Sequence, residues 1–215
     1  MATSKPAAGV RAAKAAATRA RMLDAAKALF LERGYAATAM QAIAARAGVA
    51  VQTLYFTFTT KRAILKELLD VEVAGDTTPM ASLDRPWVGE AFAAAPAAQL
   101  RLMARRSAEI YGRVGPLLEV VRSAAAADPE IAELWRTNQE QRHTVFTVMT
   151  GALAAKTPLR EGFNAARAAD TVLAVLAPES YHLLVHERGW PAGDWEEWAA
   201  DALIRQLLPD PAESS

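Results

Sequence analysis

The chain has 215 residues, with 24 basic and 24 acidic side chains, three histidines and no cysteine. At 52% hydrophobic and 22% charged residues it is long enough to bury a core in one or two domains, and the missing cysteine excludes a disulfide scaffold, a zinc–cysteine site and a cysteine nucleophile. No apolar run reaches the roughly 20 residues that cross a bilayer, and the N-terminus shows no apolar signal-type stretch, so a cytoplasmic location with no membrane partner is expected.

The neutral total divides unevenly. Residues 1–62 hold ten basic and two acidic residues, a net +8, and the remainder is −8. A basic block of that size points to a polyanionic partner, of which nucleic acid is the usual one. Residues 1–17 are Ala-rich and read as a flexible basic arm. Thr18 is placed to cap a first helix, with Met22, Ala26, Leu29 and Phe30 on its apolar face and Gly34 as its stop. A second helix is predicted over 39–46 with Thr38 as cap, and Gly48 breaks it. A third short segment follows over 50–56 with Leu54 inward, and a fourth helix starts near Lys61. Two helices of about eight residues joined by a glycine turn form a helix-turn-helix pattern.

Residues 76–96 carry Pro79, Pro86, Gly89 and Pro96 and read as a connecting segment. Long helices are predicted beyond it: 97–112, 116–127, 129–156 with Asp128 as cap, 160–187 interrupted at Pro178, and 194–208. No alternating, turn-bounded strand pattern occurs, so the expected class is all-α.

The stretch 18–75, with its motif over 39–58, contains Ala26, Leu29, Phe30, Gly34, Tyr35, Thr38, Ile43, Ala44, Gly48, Val49, Thr53, Leu54, Tyr55, Phe58 and Lys61 at fixed spacing. It closely resembles the DNA-binding domain of the TetR family of bacterial transcriptional regulators over about residues 16–76. The major groove, about 12 Å wide, admits a short helix with small or polar outward side chains, as Ala50, Val51, Gln52 and Thr53 provide. Gln52 suits an adenine edge, and the methyl groups of Val51 and Thr53 suit thymine. Thr38, Tyr55 and Lys61 suit phosphates, and the resemblance implies backbone contacts at these positions. Ala50, Gln52, Thr59, Thr60 and Arg62 depart from the family's common residues, so no operator sequence carries over.

The resemblance implies that the region 97–210 is a helical bundle that binds a small-molecule effector and forms a homodimer on a palindromic operator, with repression as the expected outcome. Candidate pocket walls are Leu102, Met103, Tyr111, Trp135, Phe146 and Met149, with Arg106, Asn138 and Arg142 as polar groups on the same side. Expected dimer contacts are Val172, Leu173 and Leu176 on one helix and Trp195, Trp198, Ala199 and Leu203 on another, stripes that would serve a single chain's core equally well. An architectural DNA binder without a ligand is a second possibility. A third is a metal-binding helical-bundle enzyme: Glu140/His143 and Glu179/His182 are both E-x-x-H, which places two ligands on one helical face. No catalytic residue, metal ligand or cofactor is assigned in the preferred reading.

Overall fold

The computed structural model describes residues 5–76, 78 and 80–209. Among these residues there are helices and no strand, so the chain is all-α. In chain order the helices are α1 (Lys5–Arg33), α2 (Met40–Ala47), α3 (Val51–Thr57), α4 (Lys61–Ala74), α5 (Pro86–Ala93), α6 (Pro96–Ala125), α7 (Pro129–Lys156), α8 (Ala165–Val175), α9 (Pro178–Tyr181) and α10 (Ala192–Leu207). A 3-10 turn, Ser82–Asp84, precedes α5, and a π-helical stretch, His182–Glu187, follows α9. The chain forms two compact units, the first from residues 1–71 and 116–134, the second from 72–115 and 135–215. Residues 116–134, expected in the second domain, cluster with the first unit instead.

In the first unit, the helix expected from Thr18 begins earlier, at Lys5, so Thr18 is not a cap and residues 5–17 are helical where an arm was expected. Residues 1–4 of that arm lie outside the described residues. Alanine has the highest helix propensity, which accounts for the added turns without any buried face. Met22, Ala26, Leu29 and Phe30 are buried as their spacing predicts. The helix stops at Gly34, whose φ of 76° is cheap only for glycine and whose N–H donates to the Phe30 carbonyl at 2.9 Å. The α2–α3 turn is a Schellman motif. Gly48, at φ 66°, donates to the Ala45 carbonyl at 3.2 Å, and Val49 donates to the Ala44 carbonyl at 3.0 Å.

In the second unit, Tyr111, Tyr181 and Trp195 form a buried aromatic cluster with centroids 5.1–6.0 Å apart. Polar side chains tie the helix ends together around it. Lys156 Nζ donates to the Ala91 and Ala94 carbonyls that end α5, at 2.9 and 2.8 Å, and to Gln99 Oε1 at 2.7 Å. Gln99 Nε2 donates in turn to the Met149 carbonyl at 2.8 Å. Asn164 caps α8 by accepting from the Arg167 N–H at 2.9 Å. Small buried residues, Ala168, Ala169 and Ala199, line α8 and α10, which pack together.

Two helix boundaries were misread and one resolved. The expected break at residues 113–115 does not occur, because α6 runs through Pro116. The preceding residue is Gly115, which has no Cβ to clash with the proline ring, so the remaining costs are the lost hydrogen bond and the ring's approach to the Gly112 carbonyl. The expected helix 160–187 is divided: α8 starts only at Ala165, and Pro178 opens a new helix as its first residue, where a missing N–H costs nothing. Asp128 caps α7 as predicted, accepting from Glu130 and Ile131 N–H groups at 3.0 and 3.3 Å.

Five of the expected dimer residues, Val172, Leu176, Trp195, Ala199 and Leu203, are buried within a single chain, so they are core positions and cannot meet a partner. Leu173 is half-buried and Trp198 is 39% exposed. Periodicity marks which face of a helix is covered, and here the cover is the chain itself. Trp195→Ala is therefore expected to cost roughly 3–5 kcal/mol of folding stability, as for other buried large-to-small changes. Urea unfolding should show this loss at every protein concentration; a loss confined to dilute samples would return Trp195 to an interface.

A candidate nucleic-acid interface

Helix α3, expected to read bases, is only seven residues long and buries a single side chain, Leu54. With Leu54 inward, its neighbours turn out: Ala50, Gln52 and Thr53 are exposed, Val51 is half-buried and Tyr55 is 45% exposed. Phe56, which sequence reasoning passed over, is 93% exposed. A helix this short with one buried position cannot hide a second aromatic ring, and that was the available signal. Phe58, just past the helix, is buried and carries the Arg19 guanidinium 4.3 Å above its ring. Arg19 also pairs through both nitrogens with the Glu67 carboxylate, which raises its already high pKa.

Two residues expected at phosphates have a different first task. Thr38 is 1% exposed, and its hydroxyl donates inward to the Leu29 and Gly34 carbonyls at 3.2 and 2.8 Å. Its side chain is not on the DNA face, and it is not the α2 cap, a place taken by Ala39. Lys61 Nζ donates to the Tyr35 and Thr38 carbonyls at 2.7 and 2.9 Å and lies 4.2 Å from the Tyr35 ring centroid. Burial lowers the Lys61 pKa, against an opposing pull from Asp128. Together these contacts lock the corner between α1 and α2.

In the second unit the residues expected to line a pocket differ in burial. Leu102, Met103, Tyr111, Phe146 and Met149 are buried, and Trp135, Asn138, Arg106 and Arg142 are half-buried. Arg142 Nε donates to Asn138 Oδ1 at 3.3 Å, and its guanidinium sits 5.9 Å from the Trp135 ring centroid and beside the Tyr111 phenol. The Tyr111 hydroxyl donates to the Leu176 carbonyl at 2.6 Å, and burial pushes its pKa up. Arg106 faces elsewhere, donating to Glu109 at 2.8 Å. Arg142 Nη1 and Arg106 Nε are buried with no hydrogen-bond partner among the described residues.

The E-x-x-H pairs do not assemble. His143 Nε2 donates to Asp170 Oδ1 at 3.1 Å, His182 Nε2 lies 3.5 Å from Glu187, and Glu140 pairs with Arg136 at 3.6 Å. Among the described residues no group of three or more His, Asp or Glu side chains is placed to hold a metal ion. No helix of the described residues is long and apolar enough to cross a membrane.

Residues 22–68 match the family model described as bacterial regulatory proteins, tetR family. The chain carries a TetR-family helix-turn-helix domain. The match begins inside α1 and ends inside α4, so it spans the α1–α2 corner, the Schellman turn and the whole of α3. Among curated protein sequences, none matches the chain. Solved structures share its fold at low identity. NalD of Pseudomonas aeruginosa, the secondary repressor of the MexAB-OprM multidrug efflux pump, superposes with TM-score 0.70 at 21% identity, covering 92% of this chain and 98% of that one. FadR of Bacillus subtilis, a transcriptional regulator in complex with stearoyl-CoA, gives 0.68 at 16% identity over 86% of this chain and 96% of that one. A protein of Saccharomonospora viridis in complex with choline gives 0.68 at 19% identity over 91% and 100%. Beyond residues 22–68 the likeness to these structures is one of fold, over 86–92% of the chain.

The corner has a pH signature. The phenol of unfolded Tyr35 titrates at its ordinary 10.0, whereas burial, with Asp128 and Glu130 nearby, pushes the folded one up to about 12. Between those values the unfolded chain has released a proton that the folded chain keeps, so stability falls as pH rises through that window. Lys61, lowered from 10.5, works with the opposite sign below that value. Urea unfolding at about pH 9 and about pH 11 is expected to show a larger alkaline loss for the wild type than for Tyr35→Phe; equal losses would remove Tyr35 from the transition.

Proposed function

We propose that the chain is a ligand-responsive transcriptional regulator, a repressor that binds a palindromic DNA operator as a homodimer and leaves it when a small-molecule effector enters the second unit. The observation that carries this reading is the orientation of α3, which turns Gln52, Thr53 and Tyr55 outward while Leu54 anchors it. Gln52 reads an adenine edge through its amide, and Val51, Thr53 and the small Ala50 accommodate a thymine methyl. Tyr55 contacts phosphate through its hydroxyl. Lys61 has a third N–H beyond the two it spends on carbonyls, and that one is available to a phosphate. Thr38 contributes by fixing the corner.

Helix-turn-helix readers take two half-sites about 34–36 Å apart, which supports a dimer. Leu173 and Trp198 are the accessible members of the expected dimer set. The choline- and stearoyl-CoA-bound structures of the same fold support a small-molecule effector here. The group around Arg142, with Trp135, Asn138 and Tyr111, is where it would bind, and the partnerless buried Nη1 suits an effector carrying an acceptor oxygen. Both α6 and α7 contribute residues to both units, so an effector that fits one conformation of the second unit shifts the population of the first. The reading assigns no catalytic step and places the protein with DNA in the cytoplasm.

Fluorescence anisotropy against an operator enriched by selection tests it. Affinity is expected to fall steeply with salt. Gln52→Ala should cost about 1–3 kcal/mol on the preferred operator and relax preference at one position, whereas Tyr55→Phe should weaken all sequences alike. Salt-insensitive binding, or uniform losses for Gln52→Ala, would overturn the assignment.

A further inference from the structure

The first acidic residue of the chain is Asp24, and five basic residues precede it. The structure winds residues 5–21 into the first turns of α1, ahead of the family match that begins at residue 22. Residues 9–17 are all exposed, and Val10 is the one large apolar side chain among them. Alongside it lies an open cleft of about 500 Å³, lined by Arg11, Lys14, Thr18 and Arg19 of α1 and by Thr53 and Thr57 of α3. One wall is therefore the basic helix and the other is the reading helix. Arg19 is committed to Glu67, but among the described residues neither Arg11 nor Lys14 is paired with a carboxylate.

We propose that the start of α1 is a second DNA-contacting surface, on which Arg11 and Lys14 bind the phosphates flanking the half-site read by α3. The inference rests on the DNA-binding reading above and extends its footprint. Charge selects the occupant: the acid-free turns of α1 before Asp24, exposed over residues 9–17 and carrying Arg11 and Lys14, complement a polyanion, and the cleft holds it beside the helix that meets bases. From Lys5 to Thr18 the helix spans about 20 Å at 1.5 Å per residue, a reach of about six base pairs.

The test uses the full chain, as wild type and as the double variant Arg11→Gln, Lys14→Gln, on a selected operator with long flanks and on the same operator trimmed to its half-site edges. Glutamine keeps helix propensity at these exposed positions, and circular dichroism checks that the fold is kept. On the long duplex the double variant is expected to lose affinity equally for all sequences. Its slope of log K against log salt should be shallower by about 2 per subunit. Trimming the flanks should weaken the wild type and leave the variant unchanged. A variant whose affinity and slope match a steeply salt-dependent wild type overturns this surface while the regulator reading stands. A wild type that binds no duplex, trimmed or long, overturns both.

Discussion

The position of α3 depends on one half-buried ammonium group. Seven residues cannot hold a helix by themselves in water, and α3 buries only Leu54. Its direction is inherited from α2 through the Gly48 turn, and that of α2 from the corner where Lys61 Nζ ties the Tyr35 and Thr38 carbonyls together. Those carbonyls lie 26 and 23 residues away in sequence. An amine drawn out of water costs free energy unless donors and charge are matched, and two carbonyl acceptors with the face of Tyr35 supply the match. Thr38 completes the corner from below by spending its hydroxyl on the end of α1. Two of the residues most recognisable from the DNA-binding motif thus serve its scaffold.

The second unit shows what a cation looks like when its surroundings are complete, and what it looks like when they are not. Lys156 has three acceptors at 2.7–2.9 Å and closes the end of α5. Arg142 has a neutral amide, an indole face and a phenol that is already donating to Leu176. A guanidinium atom buried without an acceptor is expensive in a low-dielectric interior. The two cations lie on one helix, α7, yet only the second has donor capacity left for something other than the fold.

What the sequence made legible was local. Gly34, Gly48, Asp128 and Pro178 act within a few residues of themselves, and each ends or starts a helix as its chemistry dictates. The solvent side of α3 followed from Leu54 in the same way. What stayed hidden was non-local or depended on a neighbour. Nothing near Thr38 or Lys61 in sequence shows that one hydroxyl and one ammonium each bond backbone carbonyls at the α1–α2 corner. Pro116 reads as a stop, yet α6 runs through it, with Gly115 before it sparing one of the proline ring's clashes. On α8 and α10 the apolar stripes were correct as stripes, but periodicity is silent on whether a stripe is covered by its own chain or by another. Three residues apart on α10, Trp195 is covered by its own chain and Trp198 is 39% exposed.

Charge behaves similarly. The +8 of residues 1–62 is a property of a stretch of sequence and not of a surface. The first unit adds residues 63–71 and 116–134, which bring two basic and six acidic residues, so the folded unit carries twelve against eight, +4. The added acids are not spread evenly. Glu67 takes Arg19, while Asp128 and Glu130 act on Tyr35 at the α1–α2 corner. Within the basic block itself Glu32 takes Arg46. The turns of α1 before Arg19 receive none of them. Halving the net charge while leaving one end of a helix untouched sharpens the field instead of weakening it, because over a Debye length of about 8–10 Å a phosphate responds to the nearest charges and not to the total. The cations that matter most for an approaching duplex are then those with no acid within reach, and these stand at the edge of the cleft that runs beside α3.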